Sequence, residues 1–141
     1  MKILRSVLVI DDNPADAHFL RLKWMPTGRV GTLAVADGGE AALEILRDPK
    51  RCAELFDGQP VPDLIVLDIN MPRMDRFEFL ERYQPNIEPP AIILHTSSTE
   101  PEDRQRARGL GAHGLLIKPP KPRDVIRLAE EYGHEVGSEP P

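Results

Sequence analysis

The stretch SVLVIDDNPAD (residues 6–16) decides the fold, because it joins a buried strand directly to acidic side chains and a helix start. Ser6–Ile10 is a short, continuous apolar run, which is typical of a parallel strand covered on both faces. Asn13 can cap a helix that has Pro14 at its first position. The stretch therefore predicts one strand–helix unit with two aspartates at its junction.

Four more units of this kind follow along the chain. The further strands are predicted at Thr32–Ala36, Asp63–Leu67, Ala91–His95 and Gly114–Ile117, and the helices at Pro14–Trp24, Gly39–Arg47, Arg76–Tyr83, Pro101–Leu110 and Arg123–Tyr132. The longer connection Asp48–Pro62 has room for an extra turn of helix. Strands that alternate with helices predict an α/β fold with a doubly wound parallel sheet. We expect one domain over residues 1–132 and a flexible polar tail over residues 133–141.

Composition and charge limit the classes of function. The 141 residues include 23 acidic and 18 basic side chains, and the net charge of −5 argues against general nucleic-acid binding. No apolar run reaches the length of about 18 residues that a membrane span needs, and the N-terminal run is too short for a signal peptide. The single Cys52 cannot form an internal disulfide, which fits a reducing compartment. The expected location is the cytoplasm.

Polar side chains follow four of the predicted strands. Asp11 and Asp12 follow the first strand, Asp68 the third, Thr96 the fourth and Lys118 the fifth. The carboxyl ends of parallel strands share the edge where α/β sheets bind ligands, so these side chains are expected to meet. Two unit charges about 4 Å apart repel by about 4 kcal/mol at an effective dielectric constant of about 20. Three carboxylates therefore predict a hard divalent cation among them, Mg²⁺ or Mn²⁺.

Two other kinds of site are not expected from these residues. His18, His95, His113 and His134 are scattered and show no zinc-ligand spacing, and His95 is better interpreted as a packed side chain of the fourth strand. No glycine-rich phosphate loop is present, which argues against an enzyme that uses nucleoside triphosphates.

Four motifs together resemble the receiver domains of two-component response regulators, the family typified by CheY. They are VLVIDDNPAD (7–16), DLIVLDINMPRMD (63–75), IILHTSS (92–98) and LIKPP (116–120). The resemblance extends over roughly residues 4–132. It implies a flavodoxin-like fold with five parallel strands in the order 2-1-3-4-5 and five helices. It also implies that the protein accepts a phosphoryl group from a histidine of a partner kinase.

The resemblance assigns roles to the acidic residues. Asp68 resembles the phosphoacceptor, and Asp11 and Asp12 resemble the acidic pair that binds the metal. Asp68 itself and the main chain of Asn70 are the further metal ligands that the family implies. Phosphoryl transfer needs a nucleophile and charge compensation, which these residues and the cation would provide.

The remaining assignments concern the last two strands, together with two departures from the family. Thr96 resembles the hydroxyl that turns toward the phosphoryl group, and Lys118 the ammonium that pairs with it, with a cis bond to Pro119. The family usually has glycine where Arg76 stands, which predicts either a strained backbone or a reshaped loop. It commonly has an aromatic switch residue where Leu115 stands, so the usual relay of the signal is in doubt.

The opening motif, the long connection 48–62 and the lack of an output domain resemble single-domain regulators paired with bacterial phytochromes. This resemblance implies a sensor histidine kinase of the phytochrome type as the partner. It also implies a homodimer formed through the last helix and strand. It does not identify the downstream protein.

Two alternatives remain at this point. A phosphohydrolase of the haloacid dehalogenase class also uses an aspartate and Mg²⁺ on a parallel sheet, although its acids are spaced differently from Asp11 and Asp12. A degenerate receiver would bind partners without any phosphate. The preferred interpretation is a phosphoacceptor switch rather than an enzyme.

Overall fold

The sheet has the predicted architecture. A computed structural model describes residues 1–68, 74–83, 90–97, 105–106 and 108–136. Its parallel strands are β1 (Lys2–Ile10), β2 (Val30–Ala36), β3 (Leu64–Asp68), β4 (Ala91–Thr96) and β5 (Gly114–Ile117). They lie in the order β2-β1-β3-β4-β5, and each neighbouring pair is parallel. The flavodoxin-like strand order is therefore confirmed.

Helices cover both faces of this sheet. They are α1 (Pro14–Trp24), α2 (Gly39–Leu46), α3 (Pro49–Leu55), α4 (Arg76–Arg82) and α5 (Pro122–Tyr132). Gln105, Arg106, Arg108 and Gly109 are also helical, within the helix predicted at 101–110, and the rest of that segment lies partly outside the described residues. Among the described residues, no helix combines the length and the apolar character needed to cross a membrane.

Each face of the sheet has its own apolar core. Along β1, Leu8 and Ile10 belong to the core that also contains Phe79 of α4. Val7 and Val9 belong to the opposite core, together with the fully buried Trp24 of α1. Because side chains of a strand alternate between its faces, a strand buried on both faces is a continuous apolar run. This is why β1 could be recognised in the sequence.

The long connection before β3 holds a complete helix rather than a single extra turn. Asp48 caps α3 by accepting hydrogen bonds from the amides of Lys50 and Arg51, at 3.1 and 3.2 Å. Cys52 is fully buried, and its thiol donates to the carbonyl of Ile45 at 3.1 Å. α3 therefore packs this connection into the core beside α2.

The start of the predicted flexible tail is part of the sheet. His134–Glu135 forms a short strand, β6, which pairs antiparallel with the first residues of β1. The amide of Val136 also donates to the carbonyl of Met1 at 2.9 Å. Gly133 permits this approach, because a Cβ atom there would lie 2.5 Å from the carbonyl oxygen of Ile3. The prediction of a tail from residue 133 was thus wrong for residues 133–136, and residues 137–141 lie outside the described part.

Candidate functional site

Three carboxylates meet at the carboxyl edge of the sheet. Asp11 directly follows β1, Asp68 is the last residue of β3, and Asp12 begins the connection to α1. One oxygen from each carboxylate lies within 4.8 Å of the other two. Asp11 and Asp68 are only 3% exposed, whereas Asp12 is exposed. The structure therefore brings together the three acids that the sequence placed on this edge.

Backbone contacts fix the position of Asp11. Its amide donates to the carbonyl of Ala36 at the end of β2, at 3.0 Å. Its carboxylate accepts a hydrogen bond of 2.9 Å from the amide of Asn13. Burial raises the pKa of Asp11 to about 6, and the nearby charge of Asp68 adds to this, while the bond from Asn13 opposes it. The site therefore carries unfavourable negative charge that a cation would relieve.

Lys118 provides the positive charge of this edge. Its ammonium lies 3.1 Å from Oδ1 of Asp68 and 3.5 Å from Oδ2 of Asp16. Burial lowers the pKa of Lys118, but the hydrogen bond and charge of Asp68, with the charges of Asp11 and Asp16, outweigh it and raise the pKa. The bond to Pro119 is cis, as the resemblance implied.

Thr96 is the last residue of β4 and is almost completely buried. Its carbonyl accepts a hydrogen bond of 2.7 Å from the amide of Lys118, which joins the ends of β4 and β5. The hydroxyl and the ammonium predicted for the site therefore lie on adjacent strand ends. Asn70, the predicted main-chain ligand, lies outside the described residues.

The two departures from the family have structural explanations. Arg76 is the first residue of α4, and Asp75 caps this helix by accepting a hydrogen bond of 2.8 Å from the amide of Glu78. Among the described residues, the only non-glycine with a positive φ is Asp57, so Arg76 is not strained. Leu115 is half-buried and packs against the apolar core on the α2 side of the sheet.

The sequence pattern did not indicate Asp16 as a site residue, and it indicated only a packing role for His95. The signal available in the sequence was spacing, since Asp16 lies four residues after Asp12 and in the first turn of the helix predicted from Pro14. His95 is buried as expected, and burial together with the charge of Lys118 lowers its pKa to about 4. Its Nε2 has no hydrogen-bond partner among the described residues. Both side chains line a cleft of about 270 Å³ behind Lys118.

The donor set of the acid cluster fits a hard divalent cation. All three side chains offer carboxylate oxygens, which Mg²⁺ and Mn²⁺ prefer. The buried position of two of them makes uncompensated charge costly. Asp11, Asp12 and Asp68 are therefore the residues that could hold such an ion.

Comparison with known proteins identifies the class to which this fold and site belong. The model of the response regulator receiver domain family matches residues 7–130. The chain belongs to this family and is a receiver domain of the two-component type. Receiver domains act in general as phosphoacceptor switches. Because the chain belongs to the receiver family, it does not belong to the haloacid dehalogenase class.

The relatives differ in the fraction of their own length that this chain covers. It is 34% identical over 129 residues to an uncharacterized 14.6 kDa protein of Leptolyngbya boryana, covering 90% of this chain and 88% of that one. It is 30% identical over 126 residues to the nitrate/nitrite response regulator protein NarL of Escherichia coli K12. That match covers 89% of this chain but only 53% of NarL.

Solved structures agree with the family. The signal receiver domain of the putative response regulator NarL from Mycobacterium tuberculosis superposes with a TM-score of 0.72 at 26% identity, covering 93% of this chain and 96% of that one. A two-component response regulator from Cytophaga hutchinsonii gives a TM-score of 0.76 at 24% identity, over 93% and 98% of the two chains. Because the identity to the Cytophaga hutchinsonii protein is only 24%, this similarity shows a shared fold and nothing more.

Proposed function

We propose that this receiver domain accepts a phosphoryl group on Asp68 from a phosphohistidine of a sensor kinase. The observation that carries the proposal is the position of Asp68, buried at the end of β3 beside two other carboxylates and 3.1 Å from the ammonium of Lys118. Membership of the receiver family supports the same reaction. Gain and loss of the phosphoryl group would then change the contacts of the protein with its partners.

The chemistry is nucleophilic displacement at phosphorus. A carboxylate oxygen of Asp68 forms the new O–P bond while the P–N bond of the phosphohistidine breaks and its electron pair returns to the imidazole. The ammonium of Lys118 and the hydroxyl of Thr96 pair with the phosphoryl oxygens as their charge develops. A Mg²⁺ ion held by Asp11, Asp12, Asp68 and the main chain of Asn70 would compensate further charge. Water later hydrolyses the acyl phosphate and restores Asp68.

The kinase of the proposed reaction is of the phytochrome type, and the reaction takes place in the cytoplasm. The first part of this proposal is supported by the IDDNPAD motif and by the long connection that contains α3. The second is supported by the single cysteine, which is free and buried.

The test of the proposed reaction uses acetyl phosphate, Mg²⁺ and intact-protein mass spectrometry. We expect the parent protein to gain the mass of one phosphoryl group and Asp68→Asn to gain none. Asp57→Asn is the matched control, because it makes the same change at an exposed loop residue whose φ of 50° asparagine tolerates. A mass gain that persists in Asp68→Asn would place the acceptor elsewhere. Steady release of phosphate from a small ester would instead indicate a hydrolase.

We also propose that two copies pair through β5 and α5. Val125, Leu128 and Ala129 of α5 are buried against the sheet, whereas Ile126 is 39% exposed. Ile117 of β5, at the edge of the sheet, is 42% exposed. Exposed apolar side chains on α5 and on the edge strand β5 suit a contact with a second copy.

Ile126→Glu is expected to weaken this dimer, because the contact would have to bury a carboxylate. Sedimentation velocity of the parent and the variant, each with and without beryllofluoride, measures the effect. Leu22→Glu is the matched control, since Leu22 is an exposed leucine of α1. A parent that stays monomeric in both states would contradict the dimer, and equal dimers of parent and Ile126→Glu would exclude this surface.

A further inference from the structure

Lys118 is shared between two carboxylates, of which only one belongs to the proposed phosphorylation site. Its Nζ lies 3.1 Å from Oδ1 of Asp68 and 3.5 Å from Oδ2 of Asp16. Asp68 is buried in the sheet, whereas Asp16 lies in the first turn of α1 and is half-exposed. An ammonium can donate three hydrogen bonds, so both contacts are possible at once. The contact with one carboxylate nevertheless restricts how closely Nζ can approach the other carboxylate.

The cleft behind Lys118 offers the ammonium a second position away from Asp68. The side chains that line it are Asp16, Phe19, His95, Lys118, Pro119 and Pro120. An ammonium that turns toward α1 therefore keeps an anionic partner in Asp16.

We propose that Asp16 is a positioning residue that competes with the phosphoryl group on Asp68 for the ammonium of Lys118. This inference rests on the proposed function. A phosphoryl group brings about two negative charges to the site. Lys118 must pair with those charges, and this requires it to loosen its contact with Asp16. Asp16 therefore lowers the affinity of the site for a phosphoryl group and shortens the time for which the group is held.

A purely structural role for Asp16 predicts something different. An acidic residue in the first turn of a helix stabilises that helix through the helix dipole. Removing its charge would then lower the melting temperature without any change in phosphoryl binding that depends on Lys118. The experiment must therefore measure binding, and must show that the effect acts through Lys118.

The measurement is the affinity for beryllofluoride in the presence of Mg²⁺, by calorimetry on the full chain. Asp16→Asn is expected to bind beryllofluoride about two- to fivefold more tightly than the parent. This range corresponds to the free energy of one partly exposed ion pair, which the variant no longer has to loosen. Asp16→Glu keeps the charge and is expected to restore the affinity toward that of the parent. Asp57→Asn removes an equal charge far from the cleft and is expected to bind like the parent.

A double-mutant cycle with Lys118→Met shows whether Asp16 acts through the lysine. In the Lys118→Met background, Asp16→Asn is expected to have no effect on the affinity. An equal gain in both backgrounds would mean that Asp16 acts only by general repulsion, and would overturn the inference. Unchanged or weaker binding by Asp16→Asn, with normal binding by the parent, would also overturn it and leave the proposed function intact. A parent that binds no beryllofluoride would instead contradict the proposed function.

Discussion

Asp12→Ala is expected to lose most of its affinity for Mg²⁺ and yet to melt at a higher temperature than the parent when no metal is present. The variant removes one of the three carboxylates of the acid cluster, and thus one oxygen ligand. Changes in outer-shell partners alone cost metal sites about 10- to 100-fold in affinity, so the loss here should exceed about tenfold. A Mg²⁺ titration by calorimetry measures this part of the prediction.

The rise in melting temperature follows from repulsion within the cluster. Charges about 4 Å apart interact by about 1 kcal/mol in water and about 4 kcal/mol near a protein surface. Because Asp12 is exposed, the lower end of this range applies to it. A gain of about 1 kcal/mol corresponds to about 2–4 °C for a domain of this size. Thermal unfolding in the presence of a chelator measures the difference.

Asp37→Ala is the matched control for Asp12→Ala. Asp37 directly follows β2 at the same edge of the sheet, but it does not belong to the cluster of Asp11, Asp12 and Asp68. It should leave both the Mg²⁺ affinity and the melting temperature close to those of the parent. An equal rise for Asp37→Ala would mean that the net charge of the protein, rather than the cluster, determines the effect. A metal-free Asp12→Ala that melts below the parent would contradict the crowding argument.

The positions of Asp11, Asp68 and Lys118 at one edge of the sheet could be predicted because they depend on topology more than on detail. Once β1 and β3 are recognised as parallel strands, Asp11 and Asp68 must lie on the same edge. Lys118 follows a strand of the same sheet, so its arrival at this edge follows from the same rule. A pattern of buried strands thus predicts which residues can meet.

The contact between Asp16 and Lys118 could not be predicted in the same way. It depends on how α1 lies over the sheet and on the path of the chain after β5, and the sequence pattern specifies neither. Nε2 of His95 has no hydrogen-bond partner among the described residues, and this also depends on packing, because a shift of a few tenths of an ångström can make or break a hydrogen bond to a buried imidazole. Such details follow from tertiary packing and not from a local sequence pattern.

β6 is the largest departure of the fold from the prediction. The segment after Gly133 is short and polar, and polar chain ends are in general mobile. Here the side chain of Asp63, at the other end of the sheet from the acid cluster, holds this segment through His134. The partner lies 71 residues away in the chain, so no local pattern could have indicated it.

Asp63→Ala is expected to lower the free energy of unfolding by about 2–3 kcal/mol, because hydrogen bonds to a charged and nearly buried carboxylate stabilise the fold more than neutral ones do. The carboxylate of Asp63 is only 6% exposed. It accepts hydrogen bonds from the amide of Arg5 at 2.8 Å, the guanidinium of Arg5 at 3.3 Å and the amide side chain of Gln59 at 2.9 Å, and it lies 3.2 Å from Nε2 of His134. Urea unfolding measures the loss.

Glu130→Ala provides the matched control, since it removes a carboxylate that is also paired with an arginine but lies at the surface. Glu130 accepts a hydrogen bond of 2.9 Å from Arg29, and its side chain is 58% exposed. Pairs of this kind contribute less than about 1 kcal/mol. If Asp63 holds β6 in place, Asp63→Ala should also speed hydrogen exchange at the amide of Val136, whereas Glu130→Ala should not. Equal losses of stability in the two variants, with unchanged exchange at Val136, would show that Asp63 does not hold the C-terminal strand on β1.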